Sequence, residues 1–188
     1  MSQCVQAARA AIANWGIDAD WTLFLDRDGV LNYRPVGDYV RSPEQLRLLP
    51  GTPTALRALR GRFARVVVVT NQQGVGKGLM TDADLDRVHA RLRALLPGLL
   101  DGVYACTALA GAPGDCRKPG PALAELAAAA HPGIALDRSV MVGDSDSDVA
   151  FGARVGMRTV YVGEAPTPPG TDLTLGSLSA FARACSDD

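Results

Sequence analysis

The chain has 188 residues, a length that suits one domain with a packed core. Hydrophobic residues make up 47% and charged residues 21%, with a formal net charge of −1. That balance gives no footprint for nucleic acid and no basic patch for a membrane surface. The β-branched run Val66–Val69 is far too short to span a bilayer. The first residues lack the basic start and apolar core of a signal peptide. The expectation is a cytoplasmic monomer whose four cysteines stay reduced.

In chain order, Val5, Ala8, Ile12 and Trp15 recur at helical spacing, which predicts an amphipathic helical extension over 1–20. A single catalytic domain is expected over 21–188. Leu23-Phe24-Leu25 then leads into Asp26-Arg27-Asp28-Gly29, which reads as a buried strand ending in a tight turn. Asn32–Pro43 is a polar loop holding Tyr33, Arg34, Asp38, Tyr39 and Arg41, a candidate binding wall. Thr52–Arg62 reads as a helix and Val66–Val69 as a central parallel strand buried on both faces. That strand runs into Thr70-Asn71-Gln72-Gln73-Gly74. Thr81, with Asp84 three residues on, caps a helix running to about Leu96.

Gly102–Cys106 is a further short strand, and the irregular stretch Thr107–Arg117 precedes Lys118-Pro119 and an Ala-rich helix over Pro121–Ala130. Ser139–Val142 is a strand ending in Gly143-Asp144, followed by a helix through about Arg154 and a strand at Thr159–Val162. Glu164–Thr171 is Pro/Gly-rich and exposed, and Leu178–Ala184 is a last helix. Alternating strands and helices predict an α/β fold: a Rossmann-like three-layer α/β/α sandwich around a mostly parallel central sheet. The intervals 28–70 and 70–118 leave no room for a separate cap domain.

Each polar motif falls at the end of a predicted buried strand: Asp26/Asp28, Thr70/Asn71 and Asp144/Asp148. Parallel strands bring such ends to one sheet edge, where open α/β sheets place their ligands. Two carboxylates so close need a cation or a shared proton, and magnesium suits a few carboxylates plus phosphate oxygens. With Lys118 added, the set suits phosphoryl transfer.

In order, Asp26-Arg27-Asp28-Gly29-Val30-Leu31-Asn32, Thr70-Asn71-Gln72-Gln73-Gly74, Cys116-Arg117-Lys118-Pro119 and Val142-Gly143-Asp144 resemble the four motifs of the haloacid dehalogenase-like phosphatases. The similarity runs from about Trp21 to Val162 and is greatest to the branch acting on D-glycero-D-manno-heptose 1,7-bisphosphate at its 7-phosphate. The resemblance implies a nucleophilic Asp26 that also binds Mg2+, and an Asp28 that serves as acid and base while its backbone carbonyl ligates the metal. It implies Asp144 as a further metal ligand and Asp148 as a support that orients Lys118. Thr70, Asn71, Gln72, Gln73 and Lys118 become phosphate-binding or substrate-binding residues, and Arg117 a recogniser of a second phosphate. The substrate is expected to be a small phosphorylated sugar. Histidinol phosphate or another small phosphomonoester is the alternative, and a non-catalytic phospho-ligand module is the alternative of another class.

That branch usually carries a structural zinc site before the lysine. Here Cys106 and Cys116 occupy two ligand positions, while Ala108 and Gly114 stand at the other two. Two thiols do not complete a structural zinc site, so no zinc is expected. A Cys106–Cys116 disulfide, or turn chemistry, is left to hold the stretch. His89 and His131 read as ordinary helix or surface histidines. Gly74-Val75-Gly76-Lys77-Gly78 fails as a nucleotide phosphate loop for want of the spaced glycine and a following Ser or Thr. Asp144–Asp148 fails as a calcium loop because Val149 stands where glycine is required.

Overall fold

The computed structural model describes residues 3–164 and 166–186. Helix α1 (Gln3–Ala13) is followed by β1 (Thr22–Leu25), α2 (Thr52–Arg60), β2 (Arg65–Asn71), α3 (Asp82–Leu95) and β3 (Gly102–Cys106). Then come α4 (Ala122–Ala130), β4 (Ser139–Gly143), α5 (Asp146–Arg154), β5 (Arg158–Val162), β6 (Leu173–Leu175) and α6 (Leu178–Cys185). The six strands form one sheet in the order β3-β2-β1-β4-β5-β6, with every pairing parallel.

Strand β1 lies between its two partners, with Leu23 opposite Val66 on one side and Val140 on the other. Alternate side chains leave a strand on opposite faces, and the apolar residues sort accordingly. Leu23, Leu25, Val66, Val68, Val140 and Val142 share a cluster with Leu56 and Leu59 of α2, Val88 and Leu92 of α3, and Phe181 of α6. Phe24, Val67, Val69 and Met141 pack on the other face against Leu123, Ala124 and Ala127 of α4 and Phe151 of α5. The result is the expected three-layer α/β/α arrangement. The sheet is wholly parallel, not merely mostly so.

Helix α1 is shorter than its periodicity predicts. It ends at Ala13, and the chain turns out through Gly16, whose φ of 67° suits glycine. Met1 and Ser2 lie outside the described residues, as does Ala165 of the Pro/Gly-rich segment, in which Pro168 is buried. Strand β6 was not anticipated. Three residues are too few to display a period, and what fixes them is pairing with β5 plus Asp172, whose Oδ2 accepts from Thr159 N at 2.8 Å. Helix α3 starts as read, with Thr81 and Asp84 forming the capping box. Among the described residues no helix is long and apolar enough to cross a membrane.

The inner face of α3 also carries His89, which is 6% exposed and not a surface histidine. Burial, then the charges of Arg27 and Arg93, pushes its imidazole down to about 3. The folded state therefore binds fewer protons than the unfolded chain between the lowered value and the ordinary one. Stability rises with pH across that window and is lost on acidification. Urea unfolding at about pH 7 and about pH 5 should show His89→Gln losing less stability than the parent chain. Equal losses would contradict the assignment of a buried neutral imidazole.

Candidate active site

The carboxyl ends of β1, β2 and β4 meet at the point where the strand order reverses, between β1 and β4. Asp26 follows β1 directly, and its backbone N–H donates to Val142 O of β4 at 2.9 Å. Lys118, entering just before α4, lies 2% exposed beneath this edge. Its Nζ donates to Asp26 Oδ1 at 2.8 Å, to Asp148 Oδ1 at 2.6 Å and to Val69 O at 2.7 Å. All three ammonium donors are thereby used. Burial works against its charge, but Asp148 and Asp26 outweigh it and hold the ammonium above its ordinary value.

Asp148 serves two elements at once. One oxygen faces Lys118, while Oδ2 accepts from Ser145 N (3.1 Å) and Ser145 Oγ (2.6 Å) at the start of α5. Asp26, Asp144 and Asp148 each offer one ligand atom, all within 4.8 Å of one another. Burial pushes Asp144 up to about 7, opposed by the Arg34 guanidinium and reinforced by Asp26 and Asp148. Asp26 is raised to about 6 by burial, opposed by Lys118 and reinforced by Asp148 and Asp28. Two glycines let the backbone approach. A Cβ on Gly29, whose φ is 92°, would fall 1.8 Å from Asp144 Oδ2, and one on Gly143 would fall 2.1 Å from Asp148 Cβ.

Asp28 sits in a different electrostatic setting. Burial favours its neutral form, but Arg27 with hydrogen bonds from Asn32 and Gln72 overcomes that and holds the carboxyl below its usual range. Asn32 Nδ2 donates to Oδ1 at 2.7 Å, and Gln72 Nε2 to Oδ2 at 2.8 Å.

The expected phosphate-binding residues separate into distinct places. Thr70 lines the cleft, and its Oγ1 accepts from Gln72 Nε2 at 2.9 Å. Asn71 clamps the lysine's backbone, donating to Lys118 O at 3.0 Å and accepting from Lys118 N at 2.9 Å. Gln72 departs from the expectation of a substrate contact. It is fully buried, with its amide turned to Asp28 and Thr70. Gln73 lies in the turn that follows β2 and faces Arg117 instead. With its amide oxygen toward the guanidinium, it accepts from Arg117 Nε (3.1 Å) and Nη2 (2.9 Å). Gln73 and Arg117 thus pair beside the cleft instead of lining it. Cys106 and Cys116 are joined as a disulfide, with their Cα atoms 5.5 Å apart, which closes the loop ahead of Lys118 and corrects the expectation that all four cysteines stay reduced.

The cleft, of about 400 Å³, also draws on residues the motifs did not name. Arg34 reaches from the loop after β1 to place Nη2 2.9 Å from Asp144 Oδ1 and 3.9 Å from Asp26 Oδ2. Lys77 and Tyr39 form part of the wall, with Lys77 Nζ donating to Tyr39 Oη at 3.1 Å. The polar loop after β1 signalled Arg34 and Tyr39 as wall residues. Nothing local signalled Ser145 and Ser147, which line the cleft through the turn into α5.

The HAD-hydrolase-like family model matches residues 115–173. A D-glycero-alpha-D-manno-heptose-1,7-bisphosphate 7-phosphatase of Mycobacterium tuberculosis is 41% identical over 172 residues, covering 87% of this chain and 90% of that one. The D-glycero-beta-D-manno-heptose-1,7-bisphosphate 7-phosphatase of Pseudomonas putida is 36% identical, covering 86% and 97%. Among solved structures, the D,D-heptose 1,7-bisphosphate phosphatase of B. bronchiseptica, complexed with magnesium and phosphate, superposes with a TM-score of 0.75. It is 29% identical, with 86% of this chain and 95% of that chain covered. Fold, strand-end carboxylates and relatives agree: the chain belongs to the haloacid dehalogenase-like phosphatases, in the heptose-bisphosphate 7-phosphatase family.

Proposed function

We propose that the chain hydrolyses the 7-phosphate of D-glycero-D-manno-heptose 1,7-bisphosphate, with Mg2+, through an aspartyl-phosphate on Asp26. The carrying observation is the convergence of Asp26, Asp144, Asp148 and Lys118 at one strand edge. The sugar is carried over from the relatives' names. The carboxylates fit a divalent cation: three acidic side chains crowd together, two with raised proton affinity, and Gly29 leaves Asp144 room. Both oxygens of Asp148 already have partners, so the reading assigns the ion to Asp26, Asp144 and the Asp28 carbonyl. When bound, the ion neutralises phosphoryl charge.

In this reading Lys118 fixes Asp26 Oδ1, and Oδ2 attacks phosphorus as the bond to the sugar oxygen breaks. Asp28 gives that oxygen a proton. The docked phosphate's own negative charge favours protonation of the adjacent carboxyl, despite the donors that hold it ionised at rest. Asp28 then takes a proton from the water that attacks the aspartyl-phosphate, releasing phosphate and restoring Asp26. Thr70 donates to the transferring group, and Lys118 offsets its charge. Asn71 keeps Lys118 in place through its backbone, and Arg117, braced by Gln73, meets the second phosphate.

We further read 21–188 as one phosphatase unit with 1–20 as an extension docked on it. Ala8 and Ile12, which share the cluster of α6, support that docking. We also take the protein to be a monomer, and a cytoplasmic one, at hand for a charged substrate that cannot cross a bilayer unaided.

Phosphate release with Mg2+ should favour one anomer of the heptose bisphosphate over histidinol phosphate and fructose 1,6-bisphosphate by at least about tenfold in kcat/KM. Comparable weak rates on all of them would overturn the named sugar. Asp26→Asn should lower kcat by at least about 10^3-fold while still binding the heptose bisphosphate in calorimetry. Retained turnover would remove Asp26 as nucleophile. Gly29→Ala, by driving a methyl into Asp144, should weaken Mg2+ binding by about 10- to 100-fold in calorimetry. An unchanged affinity would remove Asp144 from the metal site.

A further inference from the structure

Arg27 is fully buried, yet the charge it faces belongs to its own neighbour in sequence. Consecutive side chains on a strand diverge. Here the chain leaves β1 and turns at Gly29, so the guanidinium folds back on Asp28. Nη2 lies 2.8 Å from Asp28 Oδ2 and 3.1 Å from Oδ1, and Nε lies 3.3 Å from Oδ1. The far end of the fork, Nη1, lies 3.2 Å from His89 Nε2 on α3. A guanidinium only donates, so Nε2 is the acceptor and the ring proton sits on Nδ1.

The carboxylate is held at unusual expense. Asn32 and Gln72 both turn their amide NH2 groups to it, leaving Asn32 Oδ1 and Gln72 Oε1 buried without partners. Buried orphan acceptors are uncommon and mark a geometry held for some other end.

We propose that His89 is a positioning residue for Asp28, acting through the Arg27 fork: by holding Nη1 it stops the guanidinium rotating and so fixes the plane of the carboxylate. The inference rests on the reading of Asp28 as the proton donor to the leaving oxygen. A planar group gripped at both ends keeps its direction, whereas the Nε and Nη2 contacts alone leave the plane free to tilt about the line joining them. Asn32 and Gln72 set where the carboxylate oxygens lie, and the fork sets which way they face.

The test is leaving-group selectivity of kcat/KM in the full chain with Mg2+. The heptose bisphosphate expels a sugar alkoxide that needs a proton, while p-nitrophenyl phosphate expels a phenolate that departs without one. His89→Leu should lower kcat/KM by about 10- to 100-fold on the sugar and by less than about threefold on p-nitrophenyl phosphate. His89→Gln, which restores an acceptor, should recover most of that loss. His89→Phe keeps the ring's shape without the acceptor and should match His89→Leu, so it carries the test should the leucine variant not fold. Equal losses on both substrates, or no loss on either, would overturn the proposal. Asp28→Asn run alongside separates the two readings. If it shows no selectivity, the role of Asp28 fails. If it is selective while the His89 variants are not, only the role of His89 fails.

Discussion

A lysine ammonium buried to 2% exposure is costly unless every donor finds an acceptor, and Lys118 finds three. They come from the end of β1, the backbone of β2 and the first turn of α5. The ammonium therefore ties together three elements that the sheet alone places only approximately. Removing one acceptor would leave a buried charge short of a partner, which is far worse than never having buried it. Asn71 on the backbone side and the cap made by Asp148 at Ser145 can be understood as devices that keep this junction in register.

Around that junction the two aspartates of the first motif are driven in opposite directions. Asp26, buried, and Asp144, half-buried, sit among other carboxylates and bind protons more readily than ordinary aspartates. Asp28, two residues from Asp26, has Arg27, Asn32 and Gln72 as donors and binds its proton less readily. Pairs of acids separated in this way can divide the labour of a two-step transfer.

Most of the architecture was legible because β-branched runs and helical periods are strong local signals. Val66–Val69 could hardly be anything but a central strand, and the polar residues following it could only emerge at the sheet edge. Carboxylates at the ends of β1 and β4 followed from the same logic. What escaped depends on contacts between distant segments. Gln72 and Gln73 are adjacent and chemically identical, and the turn that begins after β2 has no period to say which faces inward. His89 carries a helical pattern like any core residue, and only the fold brings it to Arg27, 62 residues away. Strand β6 exists through its pairing with β5, and the choice between turn chemistry and a Cys106–Cys116 bond rested on whether β3 ends beside the loop before Lys118.

The partners of Lys118 lie 92, 49 and 30 residues from it along the chain. Closing loops of that length carries an entropic cost, and a dehydrated ion cluster returns nothing until the surrounding walls exclude water. The charged junction is therefore a long-range tie, and opening the sheet at this edge would strand a buried ammonium away from its three acceptors. The same contacts that aim the chemistry thus act as a latch across the native sheet.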